Sequence, residues 1–333
     1  MAERKSSGFV KFRVERLEAK KVKEWNEFVD ISNEGTLFHR LDFLTYHGDR
    51  FRENEHHIVI YKGDAIYSVM PLAIFNDDGR RIAKSPYGGS YGGPVFRKPQ
   101  NYQDSHEVIS VILDYLISQQ IDECILTFPI SVCYRCYSET FRLVLMERSF
   151  RCKSRDISSA VCLDKMDPVS KEMTSRARAI DRKARKTREG GVETVWKASI
   201  KDFWQVMDKT FLKHGAKPTH TLNEFQWLHE HFPDRVYVDV AYLNGVPLAG
   251  VGYIVLNQRA RTSFYLCQDP EKRHLQALNL LLHDGMKQAE REGFHWFDFG
   301  TSSVNMQGRP NIFQFKETFG AIGVFRETYV WQR

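Results

Sequence analysis

The sequence predicts an α+β protein assembled from a duplicated unit. Two observations carry that reading. Hairpin, helix and strand patterns follow one another in the same order in each half, and 333 residues suit two medium domains better than one large one. In the first half, Lys21–Ser32 sets Val22, Trp25 and Val29 at helical spacing. His57–Tyr61 reads as a strand, Lys62-Gly63-Asp64 as a tight turn and Ala65–Ile74 as the returning strand. A helix over Asp104–Gln119 puts Val108, Val111, Ile112, Tyr115 and Leu116 on one face, and a strand over Glu123–Phe128 follows.

The second half repeats the order. Helices over Ile200–His214 and Asn223–Phe232 precede a strand over Arg235–Leu243. Asn244-Gly245 supplies two residues tolerant of positive φ, the requirement of a two-residue hairpin. Strands over Val246–Leu256 and Ala260–Cys267, a helix over Leu275–Glu292 stopped by Gly293, and strands over His295–Phe299 and Val324–Trp331 complete the half. The expected boundary lies near Asp164–Pro168, giving domains 1–164 and 165–333.

Composition excludes several classes. No apolar run approaches the roughly 20 residues of a membrane helix, and the polar Met1-Ala2-Glu3-Arg4-Lys5 start does not read as a signal peptide. Six scattered cysteines point to a reducing compartment, so the cytoplasm is the expected location. Cys133-x-x-Cys136 lacks the second pair that a zinc site needs, and no metal is expected. The histidines at 214, 220, 229 and 231 do not share a helical face and read as exposed or capping residues.

The net charge of +6 is local. Eight basic and two acidic residues between Lys171 and Arg188 account for all of it. On a helix, Met173, Ala177, Ile180 and Ala184 form one stripe, opposite Arg178, Arg182, Arg185 and Lys186. A thin apolar face that docks and a basic face turned to solvent are expected. So concentrated a basic stripe suits a polyanion such as tRNA or a coenzyme pyrophosphate. The glycine-rich Tyr87–Pro94 stretch has no P-loop ending, and its glycines imply a bulged strand or close backbone approach, with the tyrosines as lining.

Toward the C-terminus, the strand pattern ending Asp298-Phe299-Gly300-Thr301-Ser302-Ser303 leads into a polar loop with Asn305, Gln307 and Arg309. Phe315-Lys316-x-x-Phe319-Gly320 follows, with the two phenylalanines on one helical face and Lys316 directed elsewhere. These motifs resemble the FemAB-like branch of the GNAT acyltransferases. Tyr91-Gly92-Gly93-Pro94, Thr36-Leu37-Phe38-His39, Pro218-Thr219 and Ala241-x-x-x-Gly245-x-Pro247-x-Ala249-Gly250 add to the resemblance. It implies two tandem GNAT-like domains, each a mixed, mainly antiparallel sheet flanked by helices, with the reaction centre in the second.

The same resemblance implies an amide-forming enzyme with Lys316 and its neighbour Phe315 at its centre and no required cofactor; Asp298 and Glu317 are candidate bases for the acceptor amine. An ammonium at Lys316 would stabilise the oxyanion formed when an amine attacks an ester or thioester. Tyr91, His214, Lys217, Thr219, Ser302 and Asn305 are the expected acceptor side. Arg178, Arg182, Arg185, Lys186, Lys272 and Arg273 are the expected donor side. The junction Gln268–Ala277 contains no glycine, whereas a coenzyme A pyrophosphate loop uses one at a helix N-terminus. With the basic helix, that favours an aminoacyl-tRNA donor over acyl-CoA, and a small metabolite or cell-wall precursor as acceptor. A catalytically silent RNA-binding protein is the reading from another class.

Overall fold

The computed structural model describes residues 11–164, 174–215 and 217–333. The chain forms two compact units. One holds residues up to Pro129 with Tyr134–Ser154 and Glu327–Arg333; the other holds Ile130–Cys133 and Arg155–Arg326. The change of unit thus falls at Ser154/Arg155, ahead of the Asp164–Pro168 stretch, because Ser158–Cys162 pairs with a strand of the second unit.

The first unit begins with β1 (Phe12–Arg16), α1 (Val22–Ile31), the short α2 (Leu41–Leu44), β2 (Ile58–Lys62) and β3 (Ala65–Met70). Then come β4 (Ala73–Asp77), β5 (Arg80–Ser85), β6 (Val95–Phe96), α3 (Tyr102–Ser118), β7 (Glu123–Thr127) and α4 (Thr140–Glu147). One sheet runs β1-β2-β3-β6; β4, β5 and β7 adjoin in a second, and Thr328–Gln332 pairs antiparallel with β7. The single strand expected over Ala65–Ile74 is two, broken at Pro71-Leu72, where proline has no N–H for a ladder. Asn101 caps α3 by accepting from the Asp104 N–H at 2.7 Å. The helix buries Val108, Ile112 and Leu116 against β-strand residues such as Ile58, Ile60 and Leu126.

The second unit contains β8 (Arg151–Cys162, from Arg155 onward), α5 (Thr174–Glu189), β9 (Val192–Val195), α6 (Ile200–His214) and α7 (Leu222–His231). It continues with β10 (Val236–Leu243), β11 (Val246–Val255), β12 (Ala260–Gln268), α8 (Ala277–Arg291) and β13 (Trp296–Thr301). The small hairpin β14 (Ser303–Val304) and β15 (Gln307–Gly308), α9 (Pro310–Thr318) and β16 (Ile322–Gln332) follow. Its strands lie in the order β8-β13-β12-β11-β10-β9. Asn244 and Gly245 turn β10 into β11 with φ of 52° and 76°, as the dipeptide predicts.

Helices cover both faces of this sheet. Phe203 of α6 lies over Gly250 of β11, while Gly285 of α8 meets the Tyr253 hydroxyl on the other side. β12 and β13 are parallel, unlike their neighbours, and pair only from Ala260↔Trp296 to Thr262↔Asp298. Beyond that point β12 stays with β11 and β13 stays with β8, to which it is paired from Trp296 on, so the sheet forks. Apart from Ala65–Ile74, expected strand and helix bounds hold to within a few residues, and a separate 3-10 turn over Pro270–Leu275 precedes α8.

Candidate active site

The fork places Asp298 at the point where the two strands part. Its carboxylate Oδ1 accepts from Ser158 Oγ at 2.7 Å and from the Gly300 N–H at 2.9 Å. The group is buried, and burial pushes its pKa above the usual carboxylate value against the pull of Ser158, Gly300, Thr262 and Lys316.

Lys316, in the last turn of α9, is only 4% exposed and so is no surface lysine. Its Nζ donates to the carbonyls of Gly300 and Thr301, both at 2.7 Å. Burial lowers its pKa to about 8, with Asp298 acting in the opposite direction. The lysine therefore clamps the exit of β13 to α9. Phe315 and Phe319 do share a face, with ring centroids 5.4 Å apart, and Phe319 lies 5.4 Å from Phe299 of β13. That packing turns Lys316 toward the fork.

The loop after β13 is pinned rather than open. Ser302 Oγ and Ser159 Oγ are 2.6 Å apart, and Ser302 N–H donates to Ile157 O. Ser303 Oγ and the Met306 N–H both donate to Asp156 Oδ1, at 2.6 and 3.0 Å. Ser302, expected on the acceptor side, is buried in this serine pair and does not offer its hydroxyl to an open surface. Asn305 is exposed at the tip of the β14–β15 turn.

A cavity of about 470 Å³ lies in the same unit, lined by Ile180 and Lys183 of α5, Asn279 of α8, and Gln314, Glu317 and Thr318 of α9. It adjoins the N-terminal turn of α8. There the first intrahelical bond is Leu280 N–H to Gln276 O, so the N–H groups of Ala277, Leu278 and Asn279 precede the ladder. Gln276, with φ of 58°, holds the left-handed position ahead of the helix.

The expected donor residues are spread around this region. Arg182, Arg185 and Lys186 are exposed on α5, whose Ile180 and Ala184 are buried as the stripe predicts. Met173 and the side chains of Ala177 and Arg178 lie outside the described residues. Lys272 and Arg273 are exposed in the 3-10 turn before α8. In the sequence Lys183 stands out only as part of the charge run; its position beside the buried stripe is the signal that singles it out.

On the acceptor side, Lys217 and Thr219 are exposed, and the side chain of His214 lies outside the described residues. His220, expected at the surface or in a cap, is instead buried with Nδ1 2.8 Å from Tyr265 Oη. Tyr91 is likewise buried in the first unit, edge-on to Phe38 at 5.9 Å, and does not line an open surface. The glycines around it serve close backbone approach: a Cβ on Gly92 would come within 2.6 Å of Pro86 and Ser85 atoms. Cys133 is buried and Cys136 exposed, and among the described residues no His, Cys, Asp and Glu group suits a metal. Among those residues no helix is long and apolar enough to cross a membrane.

Residues 174–316 match the family model of the acetyltransferase (GNAT) domain. No curated protein matches the chain in sequence. Among solved structures, FemX superposes with a TM-score of 0.72 at 12% identity, over 96% of this chain and 97% of that one. The C-terminal domain of a candidate lysylphosphatidylglycerol synthetase from Agrobacterium fabrum gives 0.61 at 11%, over 95% and 93%. A tandem GNAT protein from the clavulanic acid biosynthesis pathway gives 0.54 at 10%, over 97% and 98%. At such identities the likeness is one of fold, and that fold is the tandem, mixed-sheet α+β architecture expected from the sequence.

Proposed function

With residues 174–316 as a GNAT acyltransferase domain, we propose that the chain moves an aminoacyl group from aminoacyl-tRNA to an amine of a small metabolite or cell-wall precursor. The observation that carries this reading is Lys183. The helix that concentrates the chain's net charge supplies a lysine to a cavity also lined by α9, the helix of Lys316. A polyphosphate chain bound along α5 is thereby led toward the fork.

In the reaction the acceptor nitrogen forms a bond to the aminoacyl carbonyl carbon. The ester C–O bond breaks, and the proton lost by the amine goes to the departing ribose oxygen. The tetrahedral intermediate is an oxyanion, and preorganised donors at such a site are worth about 2.7–4 kcal/mol each. Two of the three N–H bonds of Lys316 are committed to Gly300 and Thr301. Its main duty in this reading is to hold the β13 exit, with its positive charge fixed at the fork. Asp298 keeps the same turn in place through the Gly300 N–H.

Acyl-CoA as donor is the second reading, favoured by the N–H groups that open α8 beside Asn279, a ready anion site. A panel of labelled aminoacyl-tRNAs and acyl-CoAs, offered with cell extract as acceptor source and read by product mass, separates the two. Aminoacyl transfer that collapses in Lys183→Glu is the expected result. Turnover of acyl-CoA alone would move the assignment to the second reading.

A further inference from the structure

His283 sits on α8, 5% exposed, between two carboxylates. Its Nε2 is 2.5 Å from Asp181 Oδ1 on α5, and its Nδ1 is 2.9 Å from Asp284 Oδ1. A neutral imidazole has one N–H and one lone pair. Two carboxylate oxygens at hydrogen-bond distance, one on each nitrogen, call for a proton on both. The ring is bonded on both sides only as an imidazolium.

The surroundings fit that charge state. Asp284 also pairs with Arg188 of α5 and accepts from Thr194 Oγ1 of β9 at 3.1 Å, and Asp181 accepts from Lys287 of α8 at 2.8 Å. The Lys287 and His283 bonds hold the Asp181 carboxyl below the usual carboxylate range. Burial pushes Asp284 up, but the bonds from His283 and Arg188 more than reverse this. Both carboxylates therefore stay charged beside the ring. The apolar part of α5's docking is small: Ile180 and Ala184 are its buried apolar residues among those whose side chains are described.

We infer that His283 is a positioning residue for α5: doubly protonated, it clamps Asp181 to α8 and so sets Lys183 at the cavity two residues further along. The consequence at Lys183 rests on reading that cavity as the donor site; the clamp itself does not. The clamp is one ring bonded at both nitrogens, to a carboxylate of α5 on one side and of α8 on the other.

The test is hydrogen–deuterium exchange on the full chain. Peptides spanning residues 179–189 are followed in the native protein and its variants, with binding of unfractionated tRNA measured in parallel. His283→Gln should lower protection roughly tenfold, the worth of one charge-assisted hydrogen bond. Asp181→Ala should lower it as much, and Asp181→Asn, whose amide can still bond the ring, should restore part of it. Native protection in both His283→Gln and Asp181→Ala overturns the clamp. Protection that falls while tRNA binding does not establishes the clamp and removes the donor reading of the cavity.

Discussion

The ammonium of Lys316 lies 2.7 Å from the carbonyl oxygen of Gly300, a residue whose backbone is left-handed with φ of 72°. The lysine thus stabilises the turn by which β13 leaves the sheet. Its hydrogen bonds are charge-assisted and part-buried, and they come from a buried side chain.

Lys316→Met should therefore act on stability and transfer together. Two part-buried carbonyls lose their donor, at up to about 1–3 kcal/mol for the pair, since water can reach the Thr301 side. Urea unfolding should show that loss, and kcat for transfer should fall on the order of 100-fold. Full stability in Lys316→Met would contradict the clamp.

The stability of the protein should carry a signature of this lysine at alkaline pH. Its folded pKa, about 8, lies below the ordinary 10.5, so the unfolded chain binds more protons between those values. The lysine's contribution to stability is least below pH 8 and grows as pH rises toward 10.5. The difference in unfolding free energy between native protein and Lys316→Met, measured by denaturant titration at several pH values, should widen over that window.

The basic face of α5 should be read out by salt. Arg182→Ala with Lys186→Ala removes two exposed charges while sparing the buried stripe. The slope of log affinity for tRNA against log salt should drop by about 0.7–0.9 for each phosphate that the variant no longer neutralises. An unchanged slope, determined by fluorescence titration, would show that this face meets no polyanion.

Gly250→Ala tests the packing of α6 on β11. The new Cβ would stand 2.5 Å from a ring carbon of Phe203 and 3.0 Å from Cys267 Sγ. Overpacking of this kind costs about 1–3 kcal/mol. Calorimetry should show a lower Tm; an unaltered Tm would mean that Phe203 of α6 can yield.

Much of the second unit is legible in the sequence because its signals are local. Asn244-Gly245 declares its hairpin through backbone permissiveness alone. The stripe of Ile180 and Ala184 declares the docked face of α5 through periodicity. β8 is not legible, since Ser158 and Ser159 look like loop residues. Their hydroxyls are buried because Asp298 and Ser302, distant in sequence, receive them. The burial of Lys316 has the same origin. Its partners are backbone carbonyls, which carry no residue signature. His283 cannot be matched with Asp181 for a further reason: helical spacing reports neighbours on one helix, while this contact joins two.

The first unit closes with residues from the end of the described chain. Arg142 of α4 is bonded to Glu327 at 2.9 Å, both buried, and Thr328–Gln332 is paired with β7. During synthesis the ribosome releases β7 and α4 some two hundred residues before their partner strand. The second unit, Arg155–Arg326, is by then almost entirely made. The order of completion is therefore inverted relative to the order of translation: the unit holding the residues that match the GNAT model can be assembled first, and the other has to wait for the strand Thr328–Gln332.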